Sequence, residues 1–369
     1  MTTILPPLTA IPAEIVAVQD YVPYAYERMS AQAWAYFSGG AADEQLMRRN
    51  EAGAPYRIWP RVLNDLSHAS TQLHLLGQTY AFPIFLAPVA YQKLAHPEGE
   101  LASALGAAAM QTPFVISMQA SQTIEAIAHH APGPQWLQWY WQPDTQATER
   151  LLQRAVAAGM QAIVLTVDAP VNGIRNTEQR AQFALPEQVA AVNLKDMHIP
   201  VPPVVGAGQS PLFGTGYLAT RPTWHEIAQF IKQSPLPVLL KGILHPLDAQ
   251  QAVEIGAAGV IISNHGGRVL DASPTAWEVL PLIVQAVDRR IPILMDGGIR
   301  RGTDIFVALA LGAQAVLIGR PYVYALAAAG AAGVAHVLHI LRTELEVAMA
   351  LAGCAQLADI NKANLMPLG

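Results

Sequence analysis

The chain has 369 residues, 52% hydrophobic and 13% charged, with a formal net charge of −5. That is enough apolar material for a large core, and a length that one domain of alternating strands and helices can reach. A net acidic chain without a basic stripe argues against nucleic acid as the natural partner. The one cysteine, Cys354, cannot form an internal disulfide, which points to a cytoplasmic setting.

Residues 1–20 carry no Lys or Arg, so they lack the charged start of a secretory signal and read as a proline-rich arm (Pro6, Pro7, Pro12). The extension 1–80 is expected to form helices and a cap over the bottom or side of the strand-and-helix region. From residue 84 onward, short apolar runs alternate with helical spacing. Strands are expected at 84–87, 114–117, 136–140, 162–167, 238–241, 260–263, 293–296 and 315–318. The clearest helices are expected at 101–110, 148–158, 247–255 and 303–311. This alternation predicts a single α/β domain over 1–369, a (β/α)8 TIM barrel. A doubly wound open sheet is the weaker alternative, because no GxGxxG turn follows the first strand.

Residues 185–222, rich in Pro and Gly, fall between the fourth and fifth strands. A long loop after a strand lies on the active face of a barrel, where it is either a lid or a mobile surface excursion. Residues 321–341 are uncharged and reach membrane-spanning length, but they open with Pro321 and include Gly330, Gly333, His336 and His339. They are expected to form a buried Ala-rich packing helix, with no transmembrane segment.

Chemistry in such a barrel collects at the C-terminal strand ends, and nearly every expected end is polar. In order they offer Pro88, Val89 and Ala90; Ser117; Gln138 and Tyr140; Thr166 and Asp168, with Arg175 just beyond; Lys241; Ser263, His265 and Arg268; Asp296, Gly298 and Arg300; and Gly319 and Arg320. The segments DGGIRRGTD (296–304) and IGRPY (318–322) place glycines and arginines after strands 7 and 8, where barrels often seat a phosphate. Lys241 needs an anionic or polar partner, either a reduced flavin or a neighbouring carboxylate. Asp168 can hold one nitrogen of His265, and Arg175 with Arg268 can fork a substrate carboxylate. His96 is read as fixing a helix start and His129 and His130 as solvated loop residues. Cys354 is read as packed, and no metal site is expected.

LAPVAYQKLAHPEGE (86–100), TVD (166–168), LLKG (239–242), SNHGGRVLD (263–271) and DGGIRRGTDIFVALALGAQAVLIGRP (296–321) resemble, in order, the signature segments of the FMN-dependent L-2-hydroxy acid oxidase and dehydrogenase family. That family includes glycolate oxidase, lactate oxidase and mandelate dehydrogenase, and the similarity runs from about Tyr36 to Cys354. The resemblance implies His265 as the base and Asp168 as its partner. It implies Arg175 and Arg268 as carboxylate anchors, and Tyr140 (in LQWYW) and Tyr36 (in AYFSGGAADE) as hydroxyl donors to the substrate. For FMN it implies Pro88, Val89 and Ala90 along the ring, Ser117, Gln138 and Thr166 on its polar edge, and Lys241 near its N1 and C2 carbonyl. Ser263 would lie close by, with Asp296, Gly298, Arg300, Gly319 and Arg320 on the ribityl and phosphate.

The implied reaction oxidises an L-2-hydroxy acid to the 2-oxo acid, by hydride or carbanion transfer, with O2 as acceptor. A quinone or protein acceptor, or a non-redox FMN-binding barrel, are the alternatives. A homotetramer is also implied. Two departures bear on the substrate: Gln119 stands where glycolate oxidase has a tryptophan, and Val171, Asn172 and Ile174 replace Arg, Leu and Arg of a PRLGRRE stretch. Gln119 and Asn172 make the pocket more polar than that of glycolate oxidase, so a substrate that has a polar side chain or is not a simple aliphatic hydroxy acid is expected.

Overall fold

Every run expected to be a strand becomes one in the computed structural model, which describes residues 4–195, 197 and 203–368. The strands are β1 (Ile84–Leu86), β2 (Phe114–Ser117), β3 (Gln135–Tyr140), β4 (Ile163–Thr166), β5 (Val238–Ile243), β6 (Gly259–Ile262), β7 (Ile293–Asp296) and β8 (Ala315–Ile318). All neighbours are parallel, and pairing of β8 with β1 (Val316 opposite Ile84) closes the barrel. Closure removes the open-sheet alternative.

A barrel helix follows each strand: α1 (Glu100–Ala109), α2 (Ile124–His130), α3 (Thr145–Ala157), α4 (Trp224–Gln233), α5 (Pro246–Glu254), α6 (Ala276–Val287), α7 (Gly302–Ala310) and α8 (Arg320–Ala352). Caps fix their starts. Thr123, Asp144 and Thr275 accept backbone N–H bonds at the first turns of α2, α3 and α6. His129 and His130 are exposed, in the last turn of α2 rather than in a loop.

The two faces of each strand go to different cores, as a period of two requires. Ile84, Leu86, Ile116, Leu137, Leu165 and Ile262 pack outward on the helices. Phe85, Val115, Trp136, Val164, Leu239, Ile261, Leu294 and Leu317 form a separate cluster, which is the barrel interior.

Leu73, Leu75 and Tyr80 join this cluster from an antiparallel hairpin, Leu73–Leu75 with Gln78–Tyr80, that closes the bottom. Its turn places Leu76 and Gly77 at φ 49° and 73°, the left-handed pair that a tight two-residue hairpin demands. The extension was expected to be helical and to stay at the bottom or side. It does form helices, at Tyr21–Arg28, Ala31–Ser38 and Gln45–Glu51, and this hairpin caps the bottom; beyond the expectation it supplies a strand Tyr56–Ile58 paired with Leu365–Pro367 and sends residues 36–51 to the upper face.

α8 is long and apolar enough to cross a membrane, but two-thirds of its most apolar stretch is buried and its dihedrals break at Ala329 and Gly330. It packs against α1 and α7 as the expected core helix. Cys354 is buried just beyond it.

Candidate active site

Two residues further along each inward-facing series, the interior changes character. Above the apolar layers the same parity carries Ser117, Gln138, Tyr140, Thr166, Lys241, His265, Asp296, Gly298 and Gly319. All of them line one cavity of about 700 Å³ at the C-terminal face. Its size suits a cofactor with a small substrate. Tyr36, Pro88, Val89, Ala90, Gln119, Arg175, Arg268, Arg300 and Arg320 complete the wall. Of the residues selected from sequence, Asp168 and Ser263 stand just behind it, each bonded to a residue that lines it.

His265 has φ 57°, a left-handed conformation that costs energy for a non-glycine residue and here aims the ring into the cavity. Its Nδ1 lies 3.0 Å from Asp168 Oδ1, and its Nε2 lies 3.4 Å from the Tyr140 hydroxyl. Burial raises the Asp168 carboxyl, but the charge and hydrogen bond of His265 and the charge of Lys241 outweigh it and hold the group below its usual value. An ionised Asp168 accepts from Nδ1–H, which leaves the Nε2 lone pair facing the cavity. The approach depends on Gly242, at φ 106° in an irregular step of β5, where a Cβ would fall 2.5 Å from Asp168 Cβ.

Arg175 Nη1 and Arg268 Nη2 both donate to the same oxygen, Glu178 Oε1, at 2.9 Å each. Arg175 Nε also donates to the Arg268 carbonyl, and Arg268 Nη1 to the carbonyls of Tyr36 and Gly39. One carboxylate between two guanidiniums leaves a net positive charge of one, which suits a single incoming carboxylate. Burial first, then the charges of Arg175 and Arg320, pull Arg268 down to about 10, so it is still a cation at neutral pH. Burial also raises the Tyr36 and Tyr140 hydroxyls, keeping both as O–H donors.

Lys241 has one of the two partners left open by sequence, a carboxylate. Its Nζ donates to Ser263 Oγ at 2.8 Å and pairs with Asp296 Oδ2 at 3.2 Å, in a buried setting. Ser263 also accepts from the His265 N–H, linking the lysine to the histidine. Gln138 bonds Ser117 on one side and Thr166 on the other, which makes a polar floor across β2, β3 and β4.

The far end fits a phosphate and a polyol. Asp296 Oδ1 is buried without a partner, an acceptor that a hydroxyl would satisfy. Arg320 is tied by Phe37, Gly266 and Gly39 carbonyls and has no carboxylate partner among the described residues, which suits an anion. Beside Gly319, at the start of α8, a Cβ would meet nothing nearer than 4.0 Å. Arg300 already pairs with Glu51 at 2.8 Å. At Gly298 the crowding partner is protein, since a Cβ would sit 1.9 Å from the Asn50 carbonyl.

Sequence reasoning missed Glu178, Asn50, Glu51, Tyr217 and Arg221, all of which line the cavity. Glu178 had a signal, its position three residues after Arg175 on a helical turn. His96 is buried and its Nδ1 accepts the Glu98 N–H ahead of α1, in keeping with a role at a helix start.

A barrel with a carboxylate-held imidazole, paired arginines and a phosphate seat defines an oxidoreductase of hydroxy acids that works through a flavin nucleotide. The chain belongs to the FMN-dependent dehydrogenase family, whose model matches residues 25–367. It is 45% identical to an L-lactate oxidase of Roseobacter sp. (strain GAI101), with 94% of this chain and 93% of that one covered. It is 39% identical to glycolate oxidase 1 of Oryza sativa subsp. indica, over 95% of this chain and 96% of that one. Among solved structures, mandelate oxidase with (S)-2-phenylpropionate superposes at TM-score 0.85 and 39% identity, covering 95% of this chain and 98% of that chain.

Proposed function

We propose that the enzyme oxidises an L-2-hydroxy acid to the 2-oxo acid, with His265 as the base. The observation that carries this reading is the Asp168–His265 pair at 3.0 Å, which turns Nε2 towards the Tyr140 hydroxyl in a cavity that also contains the Arg175–Glu178–Arg268 cluster. The substrate carboxylate docks on the two arginines. Tyr36 and Tyr140 donate hydrogen bonds to the docked acid, and Gln119 contacts its side chain. His265 takes a proton as the α-carbon is oxidised, and Asp168 stabilises the imidazolium that forms.

Residues for FMN are Pro88, Val89 and Ala90 along the ring and Ser117, Gln138, Thr166 and Lys241 on its polar edge, with Ser263 holding Lys241 from behind. Asp296 holds the polyol, and Gly298, Arg300, Gly319 and Arg320 form the phosphate end. Bound there, FMN supplies the two-electron acceptor, and O2 takes the electrons on to give hydrogen peroxide. Lys241 offers positive charge at the ring edge.

The loop 185–222 acts as a lid in this reading, supported by Leu194, Tyr217 and Arg221 in the cavity wall; residues 196 and 198–202 lie outside the described residues. A cytoplasmic homotetramer completes the proposal, testable by fractionation and by light scattering. For the chemistry, equimolar 2-oxo acid and peroxide from an L-acid in air are expected. Turnover only with an added quinone or protein acceptor would replace the oxidase reading with the dehydrogenase one.

A further inference from the structure

Each cation in the cavity wall but one has a partner for its charge or its N–H groups. Lys241 has Asp296, Arg300 has Glu51, Arg175 and Arg268 share Glu178, and Arg320 has three carbonyls. Arg221 is the exception. Its side chain makes no hydrogen bond or ion pair among the described residues, and its Nε is shielded from solvent with no partner. A shielded N–H without an acceptor is unfavourable unless a ligand supplies one, and the rest of this half-buried guanidinium stays accessible.

The position is also built. Arg221 lies between a short 3-10 turn, Tyr217–Thr220, and Pro222, which precedes the Thr223–Glu226 capping box that starts α4. Its backbone N–H is bonded to the Leu218 carbonyl, and its guanidinium stacks 4.4 Å from the centre of the Tyr217 ring. Stacking holds the planar fork by its face and leaves its edge donors available for a carboxylate. Arg221 lines the same cavity as Arg175 and Arg268 but takes no part in their ion pairs with Glu178. Gln119 and Asn172 line that cavity too and add uncharged polar groups where a purely aliphatic chain would have nothing to bond.

We infer that Arg221, on its Tyr217 support, is a subsite for a second carboxylate, and that the preferred substrates are 2-hydroxy dicarboxylic acids. The inference rests on the reading of Arg175 and Arg268 as anchors for the first carboxylate. Two carboxylates on separate arginines would fix both ends of the substrate and leave the hydroxyl-bearing carbon to His265.

The test compares kcat/KM of the FMN-loaded enzyme for L-malate and L-2-hydroxyglutarate against L-lactate and L-2-hydroxypentanoate. One or both diacids are expected to exceed the monoacids, and Arg221→Gln is expected to lower the diacid-to-monoacid ratio by about 10–100-fold, the worth of a hydrogen-bonded charge. Arg221→Lys should restore part of that ratio. Flavin content and melting temperature of each variant separate lost folding from lost recognition.

An unchanged ratio in Arg221→Gln overturns the inference. So does an equal loss for every acid, which would make Arg221 a general attractor of anions. If the monoacids reduce the flavin and the diacids do not, only this inference fails. If no hydroxy acid reduces it, the functional reading beneath fails as well.

Discussion

The lower and upper halves of the barrel interior are made by the same strands and the same inward parity, yet they share no chemistry. Below, Phe85, Trp136, Leu239 and Ile261 fill the space and the hairpin closes it. Above, inward positions further along the same strands and just past their ends, Ser117, Gln138, Lys241 and His265, surround a cavity. The lower half holds the strands together through apolar burial, and the upper half uses that rigidity to hold polar groups that would be unfavourable in a mobile frame. Substitutions below should therefore act on stability, and substitutions above on turnover.

The largest effect is expected from Asp168→Asn. An amide removes the negative charge and can present its NH2 to Nδ1, so the histidine tautomer is no longer fixed and the rate of flavin reduction should fall by about 10²–10⁴-fold in a folded, FMN-loaded protein. Loss of fold instead of rate would show that the division between halves does not hold there. Trp136→Ala, in the lower half, should cost about 3–5 kcal/mol of stability, read by denaturant unfolding. Below the melting transition it should leave the pH dependence of turnover in place.

Glu178→Gln should be milder. With its charge removed, two guanidiniums repel without a mediator, so their geometry loosens and KM for the hydroxy acid should rise about tenfold with a smaller change in kcat. A fall in kcat alone would place Glu178 in the chemistry instead.

The smallest effect concerns acid. Asp168 titrates below its usual value in the folded protein. Its contribution to stability is thus present above about pH 4 and is lost as pH falls through the lowered value. The difference in melting temperature between the wild type and Asp168→Asn should shrink below about pH 4. A gap that stays constant down to pH 3 would show that the aspartate is not depressed.

Which parts were legible in the sequence follows the same division. Parallel strands buried on both faces appear as short apolar runs, and their polar ends appear as punctuation, so the eight strands and most of the cavity wall could be located. The hairpin was missed because three-residue strands leave almost no periodicity, although Gly77 marks its turn. The path of residues 36–51 to the upper face is set by tertiary bonds such as Asn50 to Asn264 and Leu46 N–H to Asp271, which no local pattern announces.

Glu178 sits in the polar stretch NTEQR (176–180), where one more carboxylate reads as surface. Arg221 sits in a Pro- and Gly-rich stretch, where one arginine reads as surface. At Gly298 the protein itself also requires glycine, since a Cβ there would meet the Asn50 carbonyl, a contact no local motif announces.

The most direct test of the central claim is anaerobic mixing of an L-2-hydroxy acid with the FMN-loaded wild type and with His265→Gln, followed by flavin absorbance. The account predicts rapid bleaching of the wild type. In His265→Gln it predicts a flavin that is bound but reduced about 10³-fold more slowly or not at all. Bleaching of both proteins at similar rates would contradict it, because the base would then lie elsewhere in the cavity.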